Sequence, residues 1–368
     1  MPLSPLLHAI HFDDLPGWQG DEHSLAFLAF RRSAEYALKR PYKAGALGIA
    51  PEGFSEAFAA ALDSNDLNDD DARAFFEAHF VPRRVAPEQG ASGFVTSFYE
   101  PQVPASPVRT AEFTVPLLAP PSDLIKIDDD NRPARLDPYL AFARAGADGE
   151  IIEYFDRAAI ENGAIDGNAE ALAWLADPVD AFFIHVQGAA QLLMPDGTLR
   201  RVTYAAKSGQ RFTGPGRILA DMGEIPLADV TMQSIRAWFR ANPHRISEIL
   251  HQNRSYIFFR DAPVDDPTLG PVAAAKVPLT PGRSIAVDRL LHTFGTPFFI
   301  DAPQLSAFGG LSFRRLMIAQ DTGSAIVGPA RGDLFAGSGD EAGEIAGVVR
   351  HAADFYALVP RTLVGGAA

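Results

Sequence analysis

Two aspartates in a glycine-rich apolar segment are the residues of this chain whose type and setting best suit chemistry. The segment covers residues 319–340 and contains Asp321 and Asp333. Asp321 follows the apolar residues 316–318, which predict a buried strand. Burial, or a like charge nearby, raises the pKa of a carboxyl group until it holds a proton near neutral pH. Both aspartates are therefore candidate proton donors, although a turn at Asp321 and a cap at Asp333 would equally explain them.

The composition excludes several classes of function. The chain has 368 residues, of which 47% are hydrophobic and 21% charged, as is typical of a globular protein with two domains. Its net charge of -14 argues against nucleic acid or an anionic membrane as the main partner. Because cysteine is absent, disulfides, thiolate metal sites and cysteine nucleophiles are excluded. No stretch approaches the roughly 18 consecutive apolar residues that a membrane span requires.

Other catalytic chemistries find little support in the motifs. The nine histidines form no His-Glu-x-x-His pair, so neither a metal site nor a cofactor is predicted. No convincing Gly-x-Ser-x-Gly elbow is present for a serine nucleophile, and residues 214–216 lack the third glycine of a dinucleotide site. Residues 321–323 match the Asp-Thr-Gly signature of aspartic proteases, but that chemistry requires a second copy, which the chain lacks.

Cleavage of a glycosidic bond remains open, because it requires an acid that protonates the leaving oxygen. Such an enzyme also needs aromatic and amide groups that can bind sugars. The predicted loops supply a set of these, namely Phe98, Tyr99, Gln187, Tyr204, Gln233, Asn253 and Tyr256. Each of them alone has an ordinary structural explanation, and only the set suggests a glycan.

The pattern of elements changes near residue 101. Before it the sequence predicts helices, one of which opens at Asp21 and Glu22. Residues 66–77 imitate a calcium loop, but the sixth position is Asp71 instead of glycine, so we expect helix capping there.

After residue 101 the segments are short and rich in turn residues. They predict a hairpin over 182–204 closed at Asp196 and Gly197, and an amphipathic helix that ends before Pro243. Further strands are predicted at 256–259, 284–287, 297–300 and 316–318. This spacing favours a β-barrel over an alternating α/β sheet.

Long collinear motifs then identify a family. They are residues 95–101, 183–188, 204–209, 232–235, 253–260, 277–288 and 319–340. In this order they resemble the membrane-bound lytic murein transglycosylase A family, and the similarity extends from residue 13 to the end of the chain. The resemblance implies a mainly β fold with N-terminal helices (α+β). A double-psi β-barrel catalytic domain would comprise 1–101 with 242–368, an inserted smaller β domain 102–241, and a glycan-binding groove would lie between them.

The resemblance also implies roles for particular residues. Asp333 corresponds to the catalytic acid of the family and Asp321 to a supporting carboxylate. Asp288 falls on the remaining member of three aspartates that give a wider group of barrels its name. On the same motifs we add Thr96, Gly188 and Asp288 to the predicted substrate-binding residues.

The reaction implied by the family uses an internal nucleophile. Asp333 would protonate the oxygen between N-acetylmuramic acid and N-acetylglucosamine, and would then accept the proton of the muramoyl C6 hydroxyl as it closes on C1. The product is a 1,6-anhydromuramoyl end, and one carboxyl suffices because the nucleophile is tethered. Asp333 must start protonated, so we expect its pKa to be raised by burial and by Asp321 or Asp288. A non-catalytic peptidoglycan-binding module and a glycosidase with two working carboxylates are the alternatives.

The resemblance further implies a periplasmic, outer-membrane-associated protein that acts on peptidoglycan glycan strands, and we expect a monomer. Residues 1–10 predict no signal peptide, and the chain has no cysteine for the lipid anchor that the family usually carries. Other departures are Ala34, where the family commonly has cysteine, and Ser97 and Ser324, where it has glycine. None of them alters the predicted acid.

Overall fold

The computed structural model describes residues 2–87, 92–310 and 312–364. The chain divides into two compact units. The first unit comprises Met1–Tyr99 and Val264–Ala368, and the second unit is Glu100–Pro263. The predicted α+β class, with N-terminal helices and a second domain, is confirmed. The second boundary differs from the predicted 241/242, because residues 257–261 form a strand that pairs with residues 202–207 of the second unit.

The α-helices of the described residues are α1 His23–Ala37, α2 Ser55–Asp63, α3 Asp69–His79, α4 Arg157–Glu161, α5 Pro178–Gln187, α6 Pro215–Asp221, α7 Met232–Ala241, α8 Ile246–Leu250 and α9 Asp340–Val348. In the part of the chain that the structure describes, none of them is long and apolar enough to cross a membrane.

The strands of the described residues are β1 Leu7–Ala9, β2 Phe80–Val85, β3 Phe94–Glu100, β4 Gln102–Pro104, β5 Val115–Leu118, β6 Leu124–Lys126, β7 Phe142–Ala145, β8 Ile151–Glu153, β9 Ala171–Leu175, β10 Ala189–Leu193, β11 Leu199–Lys207, β12 Ile257–Asp261, β13 Ser284–Val287, β14 Pro297–Ala302, β15 Phe313–Asp321, β16 Arg331–Ser338, β17 Arg350–Ala352 and β18 Asp354–Pro360. The predicted strands at 256–259, 284–287, 297–300 and 316–318 are confirmed within one residue or as parts of longer strands.

A nine-stranded sheet forms the centre of the first unit. Its order is β1-β2-β18-β14-β15-β13-β16-β3-β17. Strand β13 pairs in parallel with β15 and antiparallel with β16, so it lies between the two strands that carry the candidate aspartates. All four residues of β13 are buried, which fits a strand covered on both faces.

The N-terminal helices cover part of this core. Helix α1 buries Phe27, Phe30 and Ala34, whose spacing of three and four residues creates one apolar face. Helix α3 begins where Asn68 accepts a hydrogen bond from the backbone nitrogen of Asp71 at 2.9 Å. The capping interpretation of residues 66–77 is therefore confirmed.

The second unit has three separate sheets. Their orders are β12-β11-β10-β4, β5-β9 and β6-β7-β8. Strands β10 and β11 form the predicted hairpin around Asp196 and Gly197, and Gly197 has the positive φ of 83° that such turns require.

Only the beginning of the first strand of that predicted hairpin is wrong. Residues 182–187 belong to helix α5, whose first turn contains Pro178. The side chain of Asp177 accepts a hydrogen bond from Val179 N at 2.7 Å, and Gly188 ends the helix with a φ of 78°. The apolar run 182–186 suits a buried helix as well as a strand, and these two end signals decide between them.

Candidate active site

Asp321 and Asp333 lie in one row across three neighbouring strands. Ala286 on β13 pairs with Asp321 at the end of β15 and with Asp333 on β16. A register shift at Ala286 marks the pairing with β15, and the charge of Asp333 acts on the carboxyl group of Asp321. Two strand spacings place the Cα atoms of the two aspartates about 10 Å apart. The structure therefore brings the two predicted carboxylates to one place.

Asp333 is held by a short chain of hydrogen bonds. The hydroxyl of Thr96, on β3, donates to Oδ1 of Asp333, and Arg331 Nη2 donates to Oγ1 of Thr96 at 2.7 Å. Burial, the largest effect, raises the pKa of Asp333. The hydrogen bond from Thr96 and the charge of Arg331 lower it in part. Asp333 consequently keeps its proton to a higher pH than an exposed aspartate does.

Asp321 has a different surrounding. Its Oδ1 accepts a hydrogen bond from the backbone nitrogen of Ala274 at 3.2 Å. Burial is the largest cause that raises the pKa of Asp321 to about 6; the negative charge of Asp333 adds to the rise, whereas the backbone hydrogen bonds and the charge of Lys276 oppose it. Both carboxyl groups are therefore harder to ionise than an exposed aspartate.

The third aspartate has a structural role. Asp288 is buried, its Oδ1 accepts from Leu290 N at 3.0 Å and its Oδ2 accepts from Gly328 N at 2.9 Å. Nearby, Nε2 of His292 bonds to the carbonyl oxygen of Pro329 at 2.8 Å. Both contacts fix the loop that leads into β16. Asp288 thus holds the loop before the strand of Asp333, and its predicted contact with substrate stays a prediction.

The two aromatic candidates on β3 point in opposite directions, as successive residues of a strand do. Phe98 packs on Phe335 of β16 with a ring separation of 5.2 Å, and it remains partly exposed. Tyr99 is buried, and its ring packs against α9 so closely that a Cβ added to Gly343 would lie 2.9 Å from a ring carbon. Phe98 is therefore the aromatic side chain of this pair with surface left for a ligand.

Three candidates of the second unit lie side by side. Gln187 is the last residue of α5, Gly188 caps that helix, and the carbonyl oxygen of Gly188 accepts from Tyr204 N at 2.7 Å. Tyr204 is 41% exposed, and burial of part of its side chain raises the pKa of its hydroxyl to about 12. Gln233 lies in the first turn of α7 and is partly buried.

Two other candidates of the second unit lie in its interior. Tyr256 is only 3% exposed and contacts the ring of His185, with 4.5 Å between centroids. Asn253 is also buried, and its Oδ1 accepts from the backbone nitrogens of Thr213 and Ser255. These contacts hold Asn253 and Tyr256 inside their unit, and the predicted contact of both residues with a glycan stays a prediction.

Sequence analysis missed one residue of this site, Arg331. The sequence offers one signal for Arg331, which is that it lies two residues before Asp333 in the segment 319–340. Alternate residues of a strand share a face, so the spacing alone would have placed Arg331 beside the acid. Among residues 2–87, 92–310 and 312–364, no group of three or more His, Cys, Asp or Glu side chains could hold a metal ion.

Comparison with known proteins places the chain in a family. Residues 94–260 match the model described as MltA specific insert domain, and residues 283–359 match the 3D domain, which includes Asp288, Asp321 and Asp333. The chain is similar to the crystal structure of a membrane-bound lytic murein transglycosylase from Agrobacterium tumefaciens. The two share 47% identity over 98% of this chain and 99% of that one, with a TM-score of 0.91.

More distant relatives have the same name. The membrane-bound lytic murein transglycosylase A of Vibrio cholerae is 34% identical over 53% of this chain and 53% of that protein. The chain thus spans about half the length of this curated relative. The structure of Escherichia coli MltA with bound chitohexaose is 26% identical over 90% of this chain and 89% of that chain, with a TM-score of 0.64. By its motifs, its two matched domains and its structural similarity, the chain belongs to the membrane-bound lytic murein transglycosylase A family.

Proposed function

We propose that this protein is a peptidoglycan lytic transglycosylase with Asp333 as its single general acid and base. It would cleave the β-1,4 bond between N-acetylmuramic acid and N-acetylglucosamine and form 1,6-anhydromuramoyl ends. The observation that carries the proposal is the raised pKa of Asp333, which lies beside Asp321 in the matched 3D domain. A carboxyl group with a raised pKa is suited to donate a proton to a leaving oxygen near neutral pH.

One carboxyl group suffices for both proton transfers of the proposed cleavage. The proton of Asp333 passes to the glycosidic oxygen, and the bond from that oxygen to C1 of the muramoyl sugar breaks. The C6 hydroxyl oxygen of the same sugar then bonds to C1, and its proton returns to Asp333. Asp321, ionised above its pKa of about 6, would stabilise the positive charge that develops near C1.

The two units would have different functions. We assign catalysis to the first unit and part of the glycan binding to the second. Phe98 in the first unit and Gln187, Tyr204 and Gln233 in the second are the predicted contacts that keep at least part of their surface. The chitohexaose bound to the E. coli relative supports a glycan as ligand. The site of action would be the periplasm at the outer membrane, as the resemblance to the family implies, and the enzyme would act as a monomer without a cofactor.

Replacing Asp333 by Asn tests the proposal. We expect Asp333→Asn to lower the release of anhydromuropeptides from purified peptidoglycan at least about 100-fold, because the amide can neither donate nor recover the proton. Mass spectrometry of the digest provides the measurement. Asp129→Asn, in an exposed loop, is the matched control and should retain wild-type activity.

The same digest distinguishes the alternatives. A hydrolase with two working carboxylates would give reducing ends that are heavier than anhydro ends by one water molecule. A wild-type protein that binds peptidoglycan and releases nothing would be a binding module.

A further inference from the structure

Arg331 donates a hydrogen bond to the Thr96 hydroxyl, which in turn donates one to the carboxyl group of Asp333. We propose that Arg331 is a positioning residue that orients the Thr96 hydroxyl toward Asp333 Oδ1, so that Oδ2 is the oxygen that carries and delivers the catalytic proton. This inference rests on the proposed function of Asp333. It reassigns Thr96 from the predicted substrate contact to a part of the acid's support.

The direction of the hydrogen bonds follows from the chemistry of the groups. A guanidinium group has donors only, so Oγ1 of Thr96 must accept from Arg331 Nη2 at 2.7 Å. A threonine hydroxyl has one hydrogen, and the oxygen of Asp333 lies within hydrogen-bond distance of it. The hydroxyl hydrogen therefore points to Oδ1. An oxygen that accepts this hydrogen is a poor place for the acid's own proton, which is left to Oδ2.

Arg331 is itself fixed by three contacts. Its Nη1 donates to the carbonyl oxygen of Gly332, its Nη2 bonds to Thr96, and its guanidinium carbon lies 5.5 Å from the centre of the Phe94 ring. Strand β16 places Arg331 and Asp333 on one face, and the neighbouring strand β3 presents Thr96 to both. The chain of hydrogen bonds is thus built on two paired strands and does not depend on a flexible loop.

Other charged groups lie on the elements packed against β16. They are Glu100 at the end of the neighbouring strand β3 and the acidic residues Asp340, Glu341 and Glu344 of α9. Slightly further away lie Asp321 at the end of β15, Lys276 in the turn beside Asp321, and Arg350 on β17. Arg331 is the cation whose charge lowers the pKa of Asp333, whereas Lys276 acts on Asp321. Lys276→Gln is therefore a matched control, since it removes a nearby positive charge and leaves the Thr96 hydroxyl in place.

Titration of Asp333 by carboxyl carbon NMR tests the proposal without any need for activity. The signal is assigned by its loss in Asp333→Asn. Thr96→Val and Arg331→Met should each raise the pH of half-titration of Asp333 by about one unit, because each removes stabilisation of its ionised form. Thr96→Ser and Arg331→Lys, which keep the hydroxyl and the donor, should stay near wild type. Lys276→Gln should shift Asp321 upward and leave Asp333 unchanged.

Kinetics provide the second measurement. In Thr96→Val and Arg331→Met we expect kcat to fall about tenfold with KM nearly unchanged, because the carboxyl group can then present its proton from either oxygen. The alkaline limb of the pH profile should move upward with the titration of Asp333. Thr96→Ser and Arg331→Lys should have kcat and an alkaline limb near those of wild type.

Clear results would overturn the inference. An unchanged Asp333 titration in Thr96→Val, with wild-type kcat, would show that the hydroxyl does not orient the acid. Equal defects in Thr96→Ser and Thr96→Val would assign Thr96 a packing role. If digests yield no anhydro ends, the proposed function fails, whereas the NMR titration still decides whether Arg331 and Thr96 hold Asp333.

Discussion

At the scale of single residues, two buried carboxyl groups that interact electrostatically differ in what surrounds them. Asp333 receives a side-chain hydrogen bond from Thr96 and feels the charge of Arg331, whereas Asp321 receives only backbone hydrogen bonds. Burial raises the pKa of both, and the negative charge of Asp333 adds to the effect on Asp321. Such a pair can hold one proton and one negative charge at the same pH, which is the arrangement that acid catalysis with charge stabilisation requires.

The raised pKa of Asp321 has a cost for stability that can be measured. A carboxyl group that titrates at about 6 when folded, and near 3.8 when unfolded, binds more protons in the folded state between these values. Its contribution to stability is therefore present at low pH and is lost as the pH rises through about 6. Asp321→Asn removes the charge and should stabilise the protein more near pH 7 than near pH 4.5, by about 1 to 2 kcal/mol.

Urea unfolding of wild type and Asp321→Asn at both pH values provides this measurement. Asp129→Asn is the control, because Asp129 is exposed and its replacement should change stability equally at both pH values. A stability gain for Asp321→Asn that is the same at the two pH values would show that the carboxyl group is not perturbed as described.

At the scale of elements, the sequence predicted those parts of the site that depend on local patterns. The strand before Asp321, the amphipathic helix before Pro243 and the cap at Asn68 are all encoded by residues close in sequence. Pairing across the sheet is not local, and it alone makes Ala286 the shared neighbour of Asp321 and Asp333. For the same reason the burial of Asn253 and Tyr256 was missed, since it depends on helices and strands distant in the chain.

The side chain of Ile285 on β13 approaches Gly332 of β16 closely, and only a residue without a Cβ leaves room for it. A Cβ on Gly332 would lie 2.5 Å from Cδ1 of Ile285 and 3.0 Å from a ring carbon of Phe355. Gly332→Ala should therefore lower the free energy of unfolding by about 1 to 3 kcal/mol and displace Asp333, with loss of activity. Ile285→Val in the same protein removes the contacting methyl group and should restore part of both.

The control for this prediction is a glycine with space around it. A Cβ on Gly20 would meet no atom within 4 Å, so Gly20→Ala should leave the unfolding free energy and the activity nearly unchanged. The close approach described for β13 and β16 would be refuted by a Gly332→Ala protein as stable and active as wild type.

At the scale of the whole molecule, the first unit is built from the two ends of the chain, and a buried ion pair joins them. Arg283 is 2% exposed, and its Nη1 lies 2.8 and 2.9 Å from the two carboxylate oxygens of Asp21. Oδ2 of Asp21 also accepts from Leu316 N of β15 at 2.6 Å. This contact ties the residues before α1 to the sheet that carries the two candidate carboxylates.

Breaking this pair should therefore loosen the first unit. Asp21→Asn leaves the buried charge of Arg283 with the exposed Glu22 as its remaining acidic partner, and the loss of the buried pair costs about 3 to 5 kcal/mol. Hydrogen exchange should show lost protection in α1 and β15, while the second unit keeps its protection. Glu22→Gln is the matched control: Glu22 reaches the same arginine at 3.5 Å but is 67% exposed, and exposed pairs contribute at most about 1 kcal/mol. Equal exchange in the Asp21→Asn and Glu22→Gln proteins would mean that the two ends of the chain are held together by apolar packing alone.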